Sequence, residues 1–223
     1  MSRVLGKRFA WWLTVALAVS AAGLAIDVKA ASGSGTGAAR ESPAAIDDEK
    51  IRLFKTEGAR WIQSQRDRHR PRARPLAAED RRHFEAYFPE RILDQVRLRV
   101  VDRFENPEFF SVFDQVGEPY PMDLRTASGM ALIDTVLITE NAFRGRARRR
   151  LLFHELVHVV QYDVLGLESY MDLYVDGWER GGRRYHGIPH ERQAYELARR
   201  FWAPDERVFW VEREVRTAFS SSP

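Results

Sequence analysis

The sequence of 223 residues contains no cysteine. Without a thiol the chain can form no disulfide and can carry no lipid anchor on cysteine. Its fold must therefore depend on a hydrophobic core and on any metal that it binds, in either redox environment. The sequence also has no internal repeat, and its length suits one core rather than a stack of repeated units.

The chain also lacks net charge once its first thirty residues are set aside. Lys and Arg number 35 against 32 Asp and Glu, a formal net charge of +3. The first thirty residues carry four basic side chains and one acidic side chain, which accounts for the whole excess. Two arginine-rich runs, at residues 66–74 and 144–150, are therefore local patches, and no recognised nucleic-acid-binding module accompanies them. We expect no nucleic-acid partner.

The N-terminal segment predicts export. Three basic residues precede an apolar stretch at residues 9–26, and Val28 and Ala30 are small residues at the two positions that a signal peptidase recognises. This segment resembles a bacterial export signal, so we expect residues 1–30 to be a signal peptide and the protein to be periplasmic or secreted. The apolar stretch also approaches the length that spans a bilayer. The alternative is therefore an inner-membrane anchor formed by residues 9–26.

The most informative motif is His-Glu-x-x-His, formed by His154, Glu155 and His158. It lies in a predicted helix that no Gly or Pro interrupts between residues 147 and 165. Residues four apart on a helix share one face, where two imidazoles can bind one tetrahedral zinc ion, while Glu155 projects beside them. The alternative is a buried helix whose histidines bond to backbone or carboxylate partners.

A zinc site on two histidines needs a third protein ligand. The metzincin extension is absent, because Gln161 and Val164 stand where that class has Gly and His. A Gly-rich stretch at residues 176–189 is followed by a second helical pattern at residues 190–198. In that pattern Glu191 shares a face with small residues, and we predict that it is the third ligand.

Two histidines compete with Glu191 for this role. His190 is its neighbour in sequence and is the main rival ligand, with His186 behind it. The nearby acidic residue Glu196 lies on a different face of the predicted helix and is not expected to bind metal.

With these residues the sequence resembles the gluzincin group of zinc metallopeptidases. In that group HExxH on one helix is completed by the first Glu of E-x-x-A on a following helix, here Glu191 to Ala194. Residues 152–162 are also similar to small bacterial proteins described only as metallopeptidase-like or as domains of unknown function. The resemblance covers residues 128–202. It implies a zincin-like α+β fold in which residues 131–138 form a strand along the substrate cleft.

The sequence departs from that pattern at Tyr195, where many gluzincins have Asp directly after the Ala of E-x-x-A. The residue that orients a zinc-binding histidine is therefore unidentified. Candidates are Asp134, Asp163 and Asp172. Tyr195 itself is our first choice as donor to the oxyanion, and its rivals are Tyr162, His186 and His190.

The resemblance implies a zinc-dependent peptidase that binds one Zn²⁺ per chain and acts on a peptide or protein substrate. Three protein ligands leave a fourth position for water, and Glu155 is expected to act as the general base. Two alternatives use the same residues. One is a catalytically inactive exported binding or scaffold protein with this fold, and the other is an envelope hydrolase that cleaves a non-peptide amide.

The rest of the sequence predicts a flexible linker at residues 31–45 and a single metallopeptidase-like domain at residues 46–223, with helices flanking a small sheet. Hydrophobic periodicity and breaker residues predict the individual elements. Helices are expected from Asp47 or Asp48, at residues 76–88, at residues 90–95 and from Pro204, and strands at residues 97–101 and 131–138.

Overall fold

The computed structural model describes residues 48–111, 123–142, 145–203 and 207–220. The predicted signal or anchor at residues 1–30 and the linker at residues 31–45 lie outside these ranges. Within them, no helix combines the length and the apolar character that crossing a membrane requires.

The described residues form a mostly helical α+β structure around one small sheet. The helices are α1 (Asp48–His69), α2 (Ala78–Phe84), α3 (Glu90–Gln95), α4 (Gly145–Leu165), α5 (Leu167–Arg180), α6 (Pro189–Trp202) and α7 (Val211–Phe219). The strands are β1 (Arg74–Pro75), β2 (Arg97–Val101), β3 (Gly129–Leu132) and β4 (Thr135–Thr139). They pair in the order β1-β2-β4-β3, with β2 and β4 parallel and the other pairs antiparallel. The predicted α+β class is confirmed.

The expected single strand at residues 131–138 is wrong, because a tight turn at Ile133 and Asp134 divides it into the hairpin β3–β4. Ile133 adopts φ of 60°, a conformation that is unfavourable for a β-branched residue and that local sequence does not predict. Distant cations stabilise the turn. Arg66 contacts the Asp134 carboxylate at 2.7 and 2.9 Å, and Arg70 contacts it at 2.9 Å. In the resulting strand order, β3 lies at one edge of the sheet.

Two helix predictions need correction, and one helix was not predicted. The helix expected at residues 76–88 ends at Phe84, where a turn replaces its last part. The last helix begins at Val211, because residues 207–210 are not helical; Pro204, where it was expected to begin, lies outside the described residues. Helix α5 was not predicted, because Gly177 weakens the helical pattern. A Cβ at that position would collide with the ring of Pro189, so glycine lets α5 pack against the start of α6.

Helix α4 is the centre of the fold and is buried on nearly every side, as expected for a helix covered by both a sheet and other helices. Phe153 stacks on Phe201 of α6 with ring centroids 4.2 Å apart. The small residues Ala194 and Ala198 of α6 are also buried, which permits close approach of the two helices. Two helices packed this tightly can bring ligands from distant parts of the sequence to one point.

Candidate metal centre

Two histidines of α4 and one glutamate of α6 meet in the core. His154 Nε2 lies 3.1 Å from His158 Nε2, and each of these atoms lies 3.4 Å from Glu191 Oε2. All three side chains are buried. Ligand atoms bound tetrahedrally to zinc at about 2.0–2.1 Å lie roughly 3.3 Å from one another. The three residues can therefore hold a metal ion without rearrangement.

The polar atoms at this point also fit a cation. Glu191 Oε2, the atom that faces both histidines, has within the described ranges no donor closer than the two imidazole Nε2 atoms at 3.4 Å. A buried carboxylate oxygen without a donor is costly unless a positive charge lies beside it. A divalent metal is such a charge, and two imidazole nitrogens with one carboxylate oxygen are ligands that suit zinc.

Helix geometry explains how the local sequence builds this site. His154 and His158 are one turn apart on α4, so their rings project from the same face. Glu191 lies in the first turn of α6, directly after Pro189 begins the helix, and the helix dipole favours a carboxylate there. The structure thus brings together the three residues that the sequence analysis named as ligands, and zinc binding itself stays a prediction.

The other candidate ligands lie elsewhere. His190 is fully buried, but its ring stacks on Phe219 at 4.8 Å and lies outside the three-residue cluster. Burial lowers the pKa of His190 to about 3, so it is a neutral aromatic packing residue. His186 is exposed, and Glu196 is exposed and paired with Arg199.

A glutamine orients the second histidine. Gln161 donates its amide N–H groups to the His190 carbonyl at 3.1 Å and to Gln193 Oε1 at 2.9 Å. Because a carbonyl oxygen can only accept, the Gln161 Oε1 atom must face His158 Nδ1, which lies 2.8 Å away. Nδ1 therefore carries a proton, and the lone pair of neutral His158 is on Nε2, directed at the centre of the site.

The acidic residues considered for this orienting role pair with cations elsewhere. Asp134 holds the hairpin turn, Asp163 lies 2.6 Å from Arg91, and Asp172 lies 3.5 Å from Lys55. The sequence analysis missed Gln161, although its spacing offered a signal. A residue three positions after His158 shares a helix face with it.

The metal-free site holds a proton between its ligands. Burial lowers the pKa of His158, but the charges of Glu191 and Glu155 and the hydrogen bonds to Glu191 and Gln161 together outweigh that effect and raise the pKa to about 9. Burial raises the pKa of Glu191, but the charges and hydrogen bonds of His158 and His154 together outweigh that effect and hold the pKa well below its ordinary value. At neutral pH a metal ion must therefore displace this proton, which makes its affinity dependent on pH.

Glu155 lies between α4 and the edge strand β3. It is buried, and its carboxylate accepts a hydrogen bond from the backbone N–H of Ala131. A Cβ on Gly129 would lie 2.5 Å from Glu155 Oε1, so only glycine at that position leaves room for the carboxylate. Burial raises the pKa of Glu155 to about 8 in the metal-free protein. A carboxylate with a pKa near neutrality can both accept and return a proton.

Tyrosines surround the ligands. The Tyr195 ring lies 4.5 Å from the His154 ring, and burial raises the Tyr195 pKa to about 12, so its hydroxyl stays protonated. Burial and the Glu191 charge also raise the pKa of Tyr185 well above its ordinary range. Tyr170 places its hydroxyl 3.3 Å from His158 Nδ1. Tyr195 is therefore available as a donor at the site, and its role toward an oxyanion stays a prediction.

A cavity of about 180 Å³ opens beside the three ligands. Its lining includes His154, Glu155 and Tyr195. Most of the lining is apolar, with side chains that include Phe54, Trp61, Phe109, Leu124 and Met171. An apolar cavity of about 150 Å³ is large enough to bind benzene. This cavity can therefore accept one large apolar side chain of a ligand next to the metal centre.

Comparison of the chain with protein-family models, with curated proteins and with solved structures finds no match. The likeness to gluzincins therefore depends on the HExxH and ExxA residues and on the geometry described above. Membership of that group stays a prediction.

Proposed function

We propose that this chain is a zinc metallopeptidase of the gluzincin type that hydrolyses peptide bonds in the bacterial envelope or outside the cell. The location is proposed from residues 1–30 alone. The observation that supports the activity is the convergence of His154, His158 and Glu191 with Glu155 beside them. A structural zinc site uses four protein ligands, whereas the cluster in the described ranges has three. Three ligands leave a position for chemistry.

Zinc held by these three side chains would polarise the scissile carbonyl and acidify a water molecule. Glu155 accepts the proton of the attacking water on its carboxylate and then delivers it to the leaving amine. The hydrogen bond from Ala131 keeps the carboxylate in place between these two steps. Tyr195 supplies a protonated hydroxyl near His154 for the developing oxyanion.

The open edge of strand β3 favours a peptide as the substrate. Thr139 N–H donates to the Ser128 carbonyl at 2.9 Å, so Ser128 bonds toward β4. Hydrogen bonding alternates along an antiparallel strand, so the backbone groups of Gly129 and the Ala131 carbonyl point away from β4, while the Ala131 N–H bonds to Glu155. An extended peptide can pair with such an edge, and here the edge lies next to Glu155.

The test separates metal binding from catalysis. Glu155→Gln should retain zinc and fold while losing hydrolysis of casein or of a peptide library by about 10²–10⁴-fold, because Glu155 moves a proton and binds no metal. Glu191→Ala should lose zinc, whereas the control Glu196→Ala on an exposed position of α6 should keep it. Metal content is measured by mass spectrometry and cleavage by chromatography of the products.

Two results would contradict the proposal. If His190→Ala removes the metal and Glu191→Ala retains it, the ligand set is wrong. If zinc-loaded wild-type protein cleaves no member of the library, so that its activity does not exceed that of Glu155→Gln, the chain is a metal-binding protein without peptidase activity.

A further inference from the structure

Arg150, the last residue of the run Arg148 to Arg150, lines the cavity beside the candidate metal centre. Arg150 is four residues before His154 on α4, so it projects from the same helix face as the two histidines. It lines the cavity together with His154, Glu155 and Tyr195. Its charge also acts on the site, since it adds to burial in lowering the pKa of His154.

The neighbouring arginines differ from Arg150. Arg148 forms a bidentate ion pair with the buried Asp80 at 2.5 and 2.8 Å, which ties α4 to α2. Arg149 does not belong to the cavity lining. Arg150 forms no ion pair or hydrogen bond within the described ranges. Two carboxylates share its cavity there, but Glu155 bonds to the Ala131 N–H and Glu191 faces the two histidines. Its guanidinium is therefore available to a ligand.

We propose that Arg150 binds a carboxylate of the substrate close to the bond that is cleaved. Guanidinium groups bind carboxylates through paired, charge-assisted hydrogen bonds. One helical turn separates Arg150 from His154, about 6 Å along the axis, and one extended residue spans about 3.5 Å. The bound carboxylate thus belongs to a residue within about two positions of the scissile bond, as a C-terminus or as an acidic side chain.

This inference rests on the proposed function for its substrate class and predicts peptides that carry a negative charge. The cavity lining is mainly apolar, with Met171 and Phe54 among its residues, and Arg150 contributes a positive charge to the same lining. The two features can therefore select different groups of the same substrate, one charged and one apolar.

The experiment uses matched peptide pairs that differ only in charge. One series compares a free C-terminal carboxylate with a carboxamide, and the other compares Asp or Glu with Asn or Gln within two positions of the cleaved bond. We measure kcat/KM for the zinc-loaded wild type, for Arg150→Gln and for the control Arg149→Gln. Binding of the same peptides to zinc-loaded Glu155→Gln protein, with and without Arg150→Gln, is measured by calorimetry.

We expect the wild type to prefer the charged member of at least one series by about tenfold to a hundredfold, the usual effect of a charged hydrogen bond. Arg150→Gln should remove the preference, so that the two members of each pair give the same kcat/KM or affinity, while Arg149→Gln should retain it. The series that responds identifies the source of the carboxylate.

Equal kcat/KM or affinity for both members of every pair would overturn the proposal. The proposal would also be overturned if Arg150→Gln lowered kcat/KM or affinity equally for charged and neutral peptides. It would be overturned as well if Arg149→Gln removed the preference for the charged peptide. If no peptide is cleaved, the proposed function fails, and the binding measurements still decide whether Arg150 selects a carboxylate.

Discussion

Replacing Gln161 with leucine should weaken metal binding although no ligand is changed. Gln161 is fully buried and joins His158, the His190 carbonyl and Gln193 through bonds of 2.8, 3.1 and 2.9 Å. Leucine has a similar volume and accepts no hydrogen bond. His158 Nδ1 would then retain only the longer contact of 3.3 Å to the Tyr170 hydroxyl.

Two magnitudes follow from this structure. Loss of a partner that orients a metal-binding histidine lowers metal affinity by about 10–100-fold, or roughly 1.4–2.7 kcal/mol. In the metal-free protein two buried hydrogen bonds and one part-buried hydrogen bond disappear. The free energy of unfolding should fall by about 3–5 kcal/mol, since each bond contributes about 1 kcal/mol and stranded partners add to the loss.

The control is Gln193→Leu, which removes only the outer part of this network. Gln193 accepts from Gln161 and donates to the Glu214 carbonyl of α7 at 3.0 Å. This variant should lose stability but keep metal affinity within about threefold of wild type, because the bond between Gln161 and His158 remains. Affinity is measured by zinc competition with a chelator and stability by denaturant unfolding in chelator. Unchanged affinity in Gln161→Leu, or an equal loss in both variants, would refute the reasoning.

Two further predictions concern the base and the proton balance of the site. Gly129→Ala should lower kcat by about tenfold or more at unchanged zinc content, because the new Cβ would lie 2.5 Å from Glu155 Oε1 and displace that carboxylate. A kcat equal to that of the wild type would show that the methyl group does not displace Glu155. Metal-free protein should lose stability as the pH rises from about 7 to 9, since folding raises the pKa of Glu155 from 4.5 to about 8 and that of His158 from 6.5 to about 9. The folded state then binds more protons than the unfolded state, and each such group lowers stability by up to about 1.4 kcal/mol per pH unit between its two pKa values. Denaturant unfolding in chelator at several pH values measures this slope of stability against pH, and Glu155→Gln should make the slope smaller. Stability that rises with pH over this range would contradict the prediction.

The sequence alone determined the parts of the site that depend on one helix. His154 and His158 share a face because helical periodicity is local, and no tertiary contact is needed to infer it. Glu191 followed from the same periodicity, since the small residue Ala194 marks the side of α6 that can approach another helix. The α+β class also followed from local patterns of apolar residues.

Tertiary structure decided what depends on contacts between distant elements. The turn at Ile133 has no local signal, and it forms because Arg66, 68 residues away in sequence from Asp134, holds that carboxylate. The choice of Gln161 over nearby aspartates likewise depended on where α6 places the His190 carbonyl.

The arginine run shows the same division. Its composition predicted a basic patch at residues 144–150, and helical spacing places Arg150 one turn before His154, but neither identifies the partner of any arginine. The fold separates them, because the buried Asp80 of α2 pairs with Arg148 while Arg150 faces the cavity beside His154. Sequence periodicity determines which side chains share a face, but the partner of each side chain depends on what the rest of the chain packs against that face.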